Sequence, residues 1–191
     1  MIFKNIFDYI LALILLIFLV GLIVLLIIIC SFDTKQFGIF EQNRVGKNAK
    51  LFKIYKLRTM KGVSKSNITT LKDHNITPLG KFLRKYKLDE LPQLFNIIKG
   101  EMSFVGPRPD VFGYADKLIG EDRIILNVKP GITGPAQIKY KNEEQLLAEV
   151  EDPILYNDKV LWKDKVLINV QYVKEWTFKK DIIYLLHTVF K

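Results

Sequence analysis

Leu79-Gly80-Lys81-Phe82-Leu83-Arg84-Lys85-Tyr86-Lys87-Leu88-Asp89-Glu90-Leu91-Pro92-Gln93-Leu94-Phe95-Asn96-Ile97-Ile98-Lys99-Gly100-Glu101-Met102-Ser103-Phe104-Val105-Gly106-Pro107-Arg108-Pro109 reads as two short helices and a stiff turn. Just upstream, Thr77-Pro78 offers an N-cap and a proline at the first helical position. Leu79, Phe82, Leu83 and Tyr86 then recur at helical spacing, with Lys81, Arg84 and Lys85 elsewhere on the turn. Such a basic amphipathic helix suits a core-facing stripe with a wet side, or an in-plane helix on anionic lipid. A second helix is predicted over residues 90–99, with Asp89 as N-cap, Pro92 in its first turn and Gly100 as its stop. The acid pair Asp89 and Glu90 thus lies at a helix N-terminus, among Lys81, Arg84, Lys85, Lys87 and Lys99. That end of a helix stabilises an anion, whether a carboxylate or a bound phosphate, so capping and chemistry both stay open on spacing alone.

Outward from this stretch, Gly106-Pro107-Arg108-Pro109 fixes φ on both sides of an arginine. A guanidinium on a stiff tether matches phosphate; the plainer reading is a turn. Lys129-Pro130-Gly131-Ile132-Thr133-Gly134-Pro135 is a second stiff turn with a cation at its mouth. On the other side, residues 37–60 read as two short strands about a Gly/Asn turn. Lys56 and Arg58, two apart, fall on one face of the second strand. Residues 61–75 are polar and aperiodic, and read as a loop.

Tyr9 to Cys30 is apolar apart from Gly21. As a helix it spans roughly 33 Å, against about 30 Å of bilayer hydrocarbon. A signal peptide fits less well, because the exit Ile29-Cys30-Ser31-Phe32 has no small-x-small pattern. The lysines that follow (Lys35, Lys47, Lys50, Lys53, Lys56) place the soluble part in the cytoplasm. Of 191 residues, 29 are Lys or Arg and 20 Asp or Glu, a net charge of +9. Lys4 and Asp8 cancel within the first 32 residues, so the whole excess lies in the remainder. A basic surface beside an apolar anchor fits anionic lipid, phosphorylated substrates or nucleic acid, and charge does not choose among them.

Downstream, residues 142–151 and 157–176 read as helices. Thr177 caps a last one, in which Ile182, Leu185, Leu186 and Val189 form a stripe expected to pack in the core. The single cysteine, Cys30, excludes a disulfide framework, and His74 and His187 are too isolated to suggest zinc. The fold expected is α+β and mainly helical. A membrane-inserted helix (1–32) precedes a small domain (33–191) with a β-hairpin and amphipathic interfacial helices.

Together the apolar N-terminal helix, Gln42-x-Arg44-Val45-Gly46, Tyr55-Lys56-Leu57-Arg58-Thr59-Met60, Leu88-Asp89-Glu90-Leu91-Pro92-Gln93-Leu94-x-Asn96, Lys99-Gly100-x-Met102-Ser103-x-Val105-Gly106-Pro107-Arg108-Pro109 and Pro130-Gly131-Ile132-Thr133-Gly134 resemble the bacterial sugar transferase family, the monotopic phosphoglycosyl transferases. The resemblance covers nearly the whole chain with its motifs in the family's order. It implies transfer of a sugar 1-phosphate from a UDP-sugar to a polyprenyl phosphate with release of UMP, as the first membrane step of capsule, lipopolysaccharide or other glycan assembly. Carried over, Asp89 is the nucleophile, Glu90 its partner associated with Mg²⁺, and Arg108 part of the substrate-phosphate motif. Lys56, Arg58 and Lys129 match basic motifs assigned to phosphate handling. The partners implied are the UDP-sugar, the polyprenyl phosphate and the anionic bacterial inner membrane, with the domain on its cytoplasmic face. Nucleic acid is not among them, and a homodimer is left open.

An aspartate at its reference pKa of about 3.9 is ionised near neutrality and needs no base to unmask it. It does need cations to approach a diphosphate, which explains acids set among lysines. Three departures from the family pattern stand out. Val20-Gly21 replaces the Ser-Pro that breaks the membrane helix so that it re-enters the leaflet, Lys129 replaces a common arginine, and Pro135 replaces a bulky apolar residue. Two other classes compete with the transferase: a non-catalytic basic scaffold, and a membrane phosphohydrolase using the same aspartyl chemistry with water as acceptor.

Overall fold

The computed structural model describes residues 2–62 and 75–190. The loop expected over residues 61–75, His74 included, lies almost wholly outside them. The described chain is mainly helical with two small two-stranded sheets, the α+β class expected. It forms two compact units, one of residues 2–43, 52–62 and 75–102, the other of residues 44–51 and 103–190.

In the first unit, α1 (Ile2–Thr34) is one helix of 33 residues. At about 1.5 Å per residue it is roughly 50 Å long. It is long and apolar enough to cross a membrane. It outruns the predicted segment at both ends. Past Cys30 it is prolonged by hydroxyls that bond back one turn, Ser31 Oγ to Ile27 O (2.8 Å) and Thr34 Oγ1 to Cys30 O (2.7 Å). Lys35, at φ 59°, then ends it. Gly21 leaves it helical throughout. Lys4, Asp8 and Ala12 are buried near one end, and Ile23, Leu26, Cys30 and Thr34 near the other.

The predicted hairpin is β1 (Ile39–Val45) paired with β2 (Leu51–Leu57). Asn48 and Ala49, at φ 57° and 61°, make its turn. Gly38 seats the start of β1 on α1: a Cβ there would lie 2.0 Å from Ile27 O, and its N–H donates to Ser31 Oγ (2.8 Å). Thr77 caps α2 (Pro78–Lys85) as read, accepting from Gly80 N–H at 2.8 Å. Leu83 of α2 joins Leu26, Cys30 and Leu57 in the core, with Leu79, Leu88 and Leu91 against it. Phe82 and Tyr86 turn out to solvent beside Lys81 and Lys85, so the stripe divides between core and surface.

The second helix departs from its reading. Leu88–Glu90 is a 3₁₀ turn entered through Lys87 at φ 57°, and α3 (Gln93–Ile98) starts only after Pro92. Asp89 caps nothing. An N-cap aspartate accepts from the N–H two or three residues on. Leu91 N–H is already held by Leu88 O (3.2 Å), and Pro92 has none to give. Gly100, at φ 76°, stops α3 as expected.

In the second unit, β3 (Ser103–Val105) pairs in parallel with β4 (Gly131–Thr133), in register Ser103 to Gly131 and Val105 to Thr133. Local periodicity carried no sign of this pair. A 3₁₀ segment (Gly120–Asn127) lies between the strands, and α4 (Pro135–Lys139) and α5 (Glu143–Glu149) follow. Next, α6 (Pro153–Tyr156) runs through one π-helical turn (Asn157–Leu161) into α7 (Trp162–Lys174), earlier than the predicted start at residue 157. Thr177 caps α8 (Phe178–Phe190) through Lys180 N–H (3.2 Å). Val45, Ala115, Ile125 and Leu126 form this unit's core with Trp162 and Val170 against them. The α8 stripe is not core: Leu186 is 51% and Val189 74% exposed. What holds α8 is Asp181, buried and accepting from Tyr172 OH (2.7 Å) and Trp176 Nε1 (2.9 Å).

Candidate active site

Asp89 and Glu90 are each only 6% exposed, far less than a solvated acid pair. The 3₁₀ turn carries them, and burial of Leu88 and Leu91 against the first unit's core turns them inward. Glu90 Oε1 accepts from Lys56 Nζ at 2.9 Å, across 34 residues of chain. Asp89 Oδ1 is buried with no hydrogen-bond partner. Burial pushes the Asp89 carboxyl above its ordinary range. Lys56 pulls it back down, Glu90 adds to the rise, and Arg84 and Lys87 oppose it. The expectation of an ordinary free-solution carboxyl therefore needs correction: its ionisation depends on the cations around it.

Two residues outside the expected set build this site. Asn96, fully buried, ties α3 to β2: its Oδ1 accepts from Tyr55 N–H (3.1 Å), and its Nδ2 donates to Lys53 O (2.7 Å) and Glu101 Oε2 (2.8 Å). Lys56 is thereby held in register with Glu90. Arg84 Nε donates to Thr59 Oγ1 (3.0 Å), which fixes one of the cations acting on Asp89. Gly80 allows that approach, since a Cβ there would lie 2.2 Å from Thr59 O. The signal for Asn96 was a polar residue in an apolar helical run. For Arg84 there was only its place among several cations.

Arg58 lies just past β2 with a different set of partners from Lys56. Its Nε donates to Phe37 O (2.8 Å) and its Nη2 to Ile39 O (3.2 Å), and the guanidinium lies over the Phe40 ring. Its fork is thus engaged in holding the start of the hairpin.

Arg108 and Lys129 belong to the second unit. There the two stiff turns, read separately in the sequence, form one structure. Ser103 N–H donates to Pro130 O (2.9 Å), Gly131 N–H to Pro107 O (2.8 Å) and Gly106 N–H to Thr133 O (2.9 Å). A Cβ on Gly131 would lie 2.1 Å from Gly106 N, so this crossing requires glycine. Arg108 and Lys129, both half-buried, therefore extend from adjoining backbone segments.

The donor set is consistent with magnesium. No cluster of three or more His, Cys, Asp or Glu occurs among the described residues. What the site offers is a buried carboxylate oxygen without a partner, next to a second carboxylate. Mg²⁺ is held in that way, by one or two carboxylates with substrate phosphates and water completing its shell.

A family model described as bacterial sugar transferase matches residues 1–191. The chain is 35% identical over 200 residues to a UDP-glucose:undecaprenyl-phosphate glucose-1-phosphate transferase of Klebsiella pneumoniae, covering 100% of this chain and 40% of that protein. It is 35% identical to an undecaprenyl-phosphate galactose phosphotransferase of Salmonella typhimurium, over 79% of this chain and 32% of that protein. It is also 35% identical to the uncharacterized sugar transferase EpsL of Bacillus subtilis, over 100% of this chain and 87% of that protein. The chain thus spans about a third to two fifths of the length of several curated relatives it matches.

Proposed function

The chain belongs to the bacterial sugar transferase family, and we propose that it moves a sugar 1-phosphate from a UDP-sugar to a polyprenyl phosphate, with undecaprenyl phosphate as the acceptor. The observation that carries this reading is Asp89 Oδ1, buried and without a partner among Lys56, Arg84 and Lys87. A carboxylate used only for structure would be satisfied there. In the reaction, an Asp89 oxygen attacks the phosphorus that bears the sugar, and the bond to the bridging oxygen breaks with UMP leaving. An oxygen of the polyprenyl phosphate then attacks the same phosphorus, and the bond to Asp89 breaks. The sugar ends on a polyprenyl diphosphate and the carboxylate is regenerated. Lys56 holds Glu90 in place and offsets negative charge as the donor approaches. Arg108 and Lys129, on the paired turns of the second unit, are assigned to phosphate handling by the family motifs they carry. Mg²⁺ held by Glu90 beside Asp89 would neutralise charge on the diphosphate.

A membrane helix that returns to the cytoplasmic face accompanies this proposal. Lys4 and Asp8, 4% and 3% exposed, and Ala12 at 0% support it. In a fully crossing α1 they would emerge opposite the soluble residues that follow the helix, with none of those residues to bury them. The exposed Phe82 and Tyr86 beside Lys81 and Lys85 support α2 lying on anionic lipid.

The test is UMP release from a panel of UDP-sugars, with Mg²⁺ and undecaprenyl phosphate, by the full chain in detergent. Wild type should release UMP, EDTA should stop it, and Asp89→Asn should abolish it while the melting temperature holds. Undiminished release by Asp89→Asn would refute the nucleophile. Sugar phosphate freed to water without acceptor would favour the phosphohydrolase. Salt-sensitive lipid binding with no release by wild type would favour the scaffold.

A further inference from the structure

The sheet beside Arg108 and Lys129 is small. β3 and β4 have three residues each and pair in parallel, and two short strands by themselves fix their register only weakly. A side chain of α4 bonds across them. Gln137 Nε2 donates to Gly106 O (3.2 Å), where β3 ends, and more weakly to Gly131 O (3.5 Å), where β4 begins. Both partners are carbonyls, which only accept, so the NH₂ end of the amide has to face them. Oε1 is left buried with no hydrogen-bond partner. An amide that strands its acceptor to seat its donors is held in place by the donors' bonds. Gly134 admits the contact, since a Cβ there would lie 2.5 Å from Gly106 O. Arg108 lies two residues after Gly106, and Lys129 two residues before Gly131. One amide therefore ties together the two backbone segments from which both cations extend.

We propose that Gln137 is a positioning residue for donor binding: by tying Gly106 O to Gly131 O it fixes the spacing of Arg108 and Lys129, so that both meet the diphosphate of the UDP-sugar together. This rests on the transferase reading, which supplies the ligand. Pro107, Pro109 and Pro130 stiffen each turn by itself, whereas Gln137 fixes one turn against the other. Two cations on a fixed spacing bind a diphosphate without ordering on arrival; on a loosened one, part of the binding energy is spent restoring it. Tyr172 of α7 braces the same sheet differently. Its hydroxyl donates to Asp181 Oδ1 (2.7 Å) and lies 3.3 Å from Val105 O, so it meets β3 and not the carbonyls next to the cations.

The experiment measures KM and kcat for whichever UDP-sugar gives UMP with wild type, using the full chain in detergent, together with the melting temperature. Gln137→Met keeps the length of the side chain and removes its donors; Gln137→Glu keeps the shape and sets a carboxylate against the two carbonyls. In both, the donor's KM should rise on the order of tenfold, the worth of one net hydrogen bond. Because Gln137 touches no reacting atom, kcat should stay within about twofold of wild type. Tyr172→Phe should do the reverse, lowering the melting temperature by about 4 °C or more and leaving KM unchanged. A donor KM within about twofold of wild type in both Gln137 variants would overturn the proposal while leaving the transferase standing. So would a fall in kcat at unchanged KM, the mark of a smaller folded fraction, or failure of both Gln137 variants to fold. An equal rise of KM in Tyr172→Phe would also overturn it, since KM would then follow the sheet's stability and not the spacing of the cations. No UMP from wild type would remove the transferase reading, and this inference with it.

Discussion

Removal of the Asn96 side chain tests whether the α3–β2 contact holds the site together. Asn96→Ala deletes three hydrogen bonds at a fully buried position, stranding Tyr55 N–H, Lys53 O and Glu101 Oε2. Each stranded group costs about 1–3 kcal/mol, with water reaching the Glu101 end most easily, so the total is roughly 3–6 kcal/mol. For a chain of this size each kcal/mol lowers the melting temperature by about 2–4 °C, giving a fall on the order of 10 °C or more. The assay is thermal unfolding of the full chain in detergent, with UMP release followed well below the midpoint. Activity should fall too, since β2 carries Lys56 to Glu90. Asn96→Asp serves as a second probe. It keeps an acceptor for Tyr55 N–H but sets a carboxylate against Lys53 O and Glu101, and should lose at least as much. Melting within about 2 °C of wild type for both variants would refute the idea that Asn96 fixes this register.

Two further outcomes follow from the same unit. Lys56→Gln removes the largest influence that lowers the Asp89 carboxyl, so that group rises further above its ordinary range. In the proposed reaction the ionised form attacks, so activity should be lost as pH falls through the raised value, and the acid limb of the kcat profile should move to higher pH in Lys56→Gln. An unshifted limb would mean that Lys56 does not govern Asp89. For topology, Asn5→Cys, at an exposed position beside buried Lys4, should resist an impermeant thiol reagent added from the periplasmic side of spheroplasts and react in inverted vesicles. Cys30, the sole native cysteine, is buried and should not compete. Labelling from the periplasmic side would show that α1 crosses.

Much of the fold was legible wherever the determinant is local. The apolar run of α1, the hairpin turn at Asn48, the threonine caps at residues 77 and 177 and the Gly100 stop each depend on a few neighbours. The Asp89 cap failed for a local reason that the sequence does contain: a cap needs donors, and Pro92 removes one. The rest depends on distant pairing. Nothing in Ser103–Val105 announces Gly131–Thr133 as its partner, and Gly131 shows its need for glycine only once Gly106 lies against it. The α8 stripe has the right period for a core helix, yet leaves Leu186 and Val189 outside, because period reports a face and not what covers it.

The site divides in the same way. Asp89 and Glu90 stood out because two acids in a basic stretch form a local anomaly, and their burial adds a desolvation cost to it. For Arg58, a strand face does not say which partners a guanidinium finds within the chain, and here Phe37 O and Ile39 O are among them. Lys56, two residues earlier, reaches Glu90 instead, and the difference arises from Asn96, which sets where β2 meets α3. A single amide thus determines which basic residue of the motif faces the acid pair. Under the proposed reaction, Lys56→Gln should therefore act on the acid pair directly, whereas Arg58→Lys should first disturb the start of the hairpin, where Nε and Nη2 are bonded.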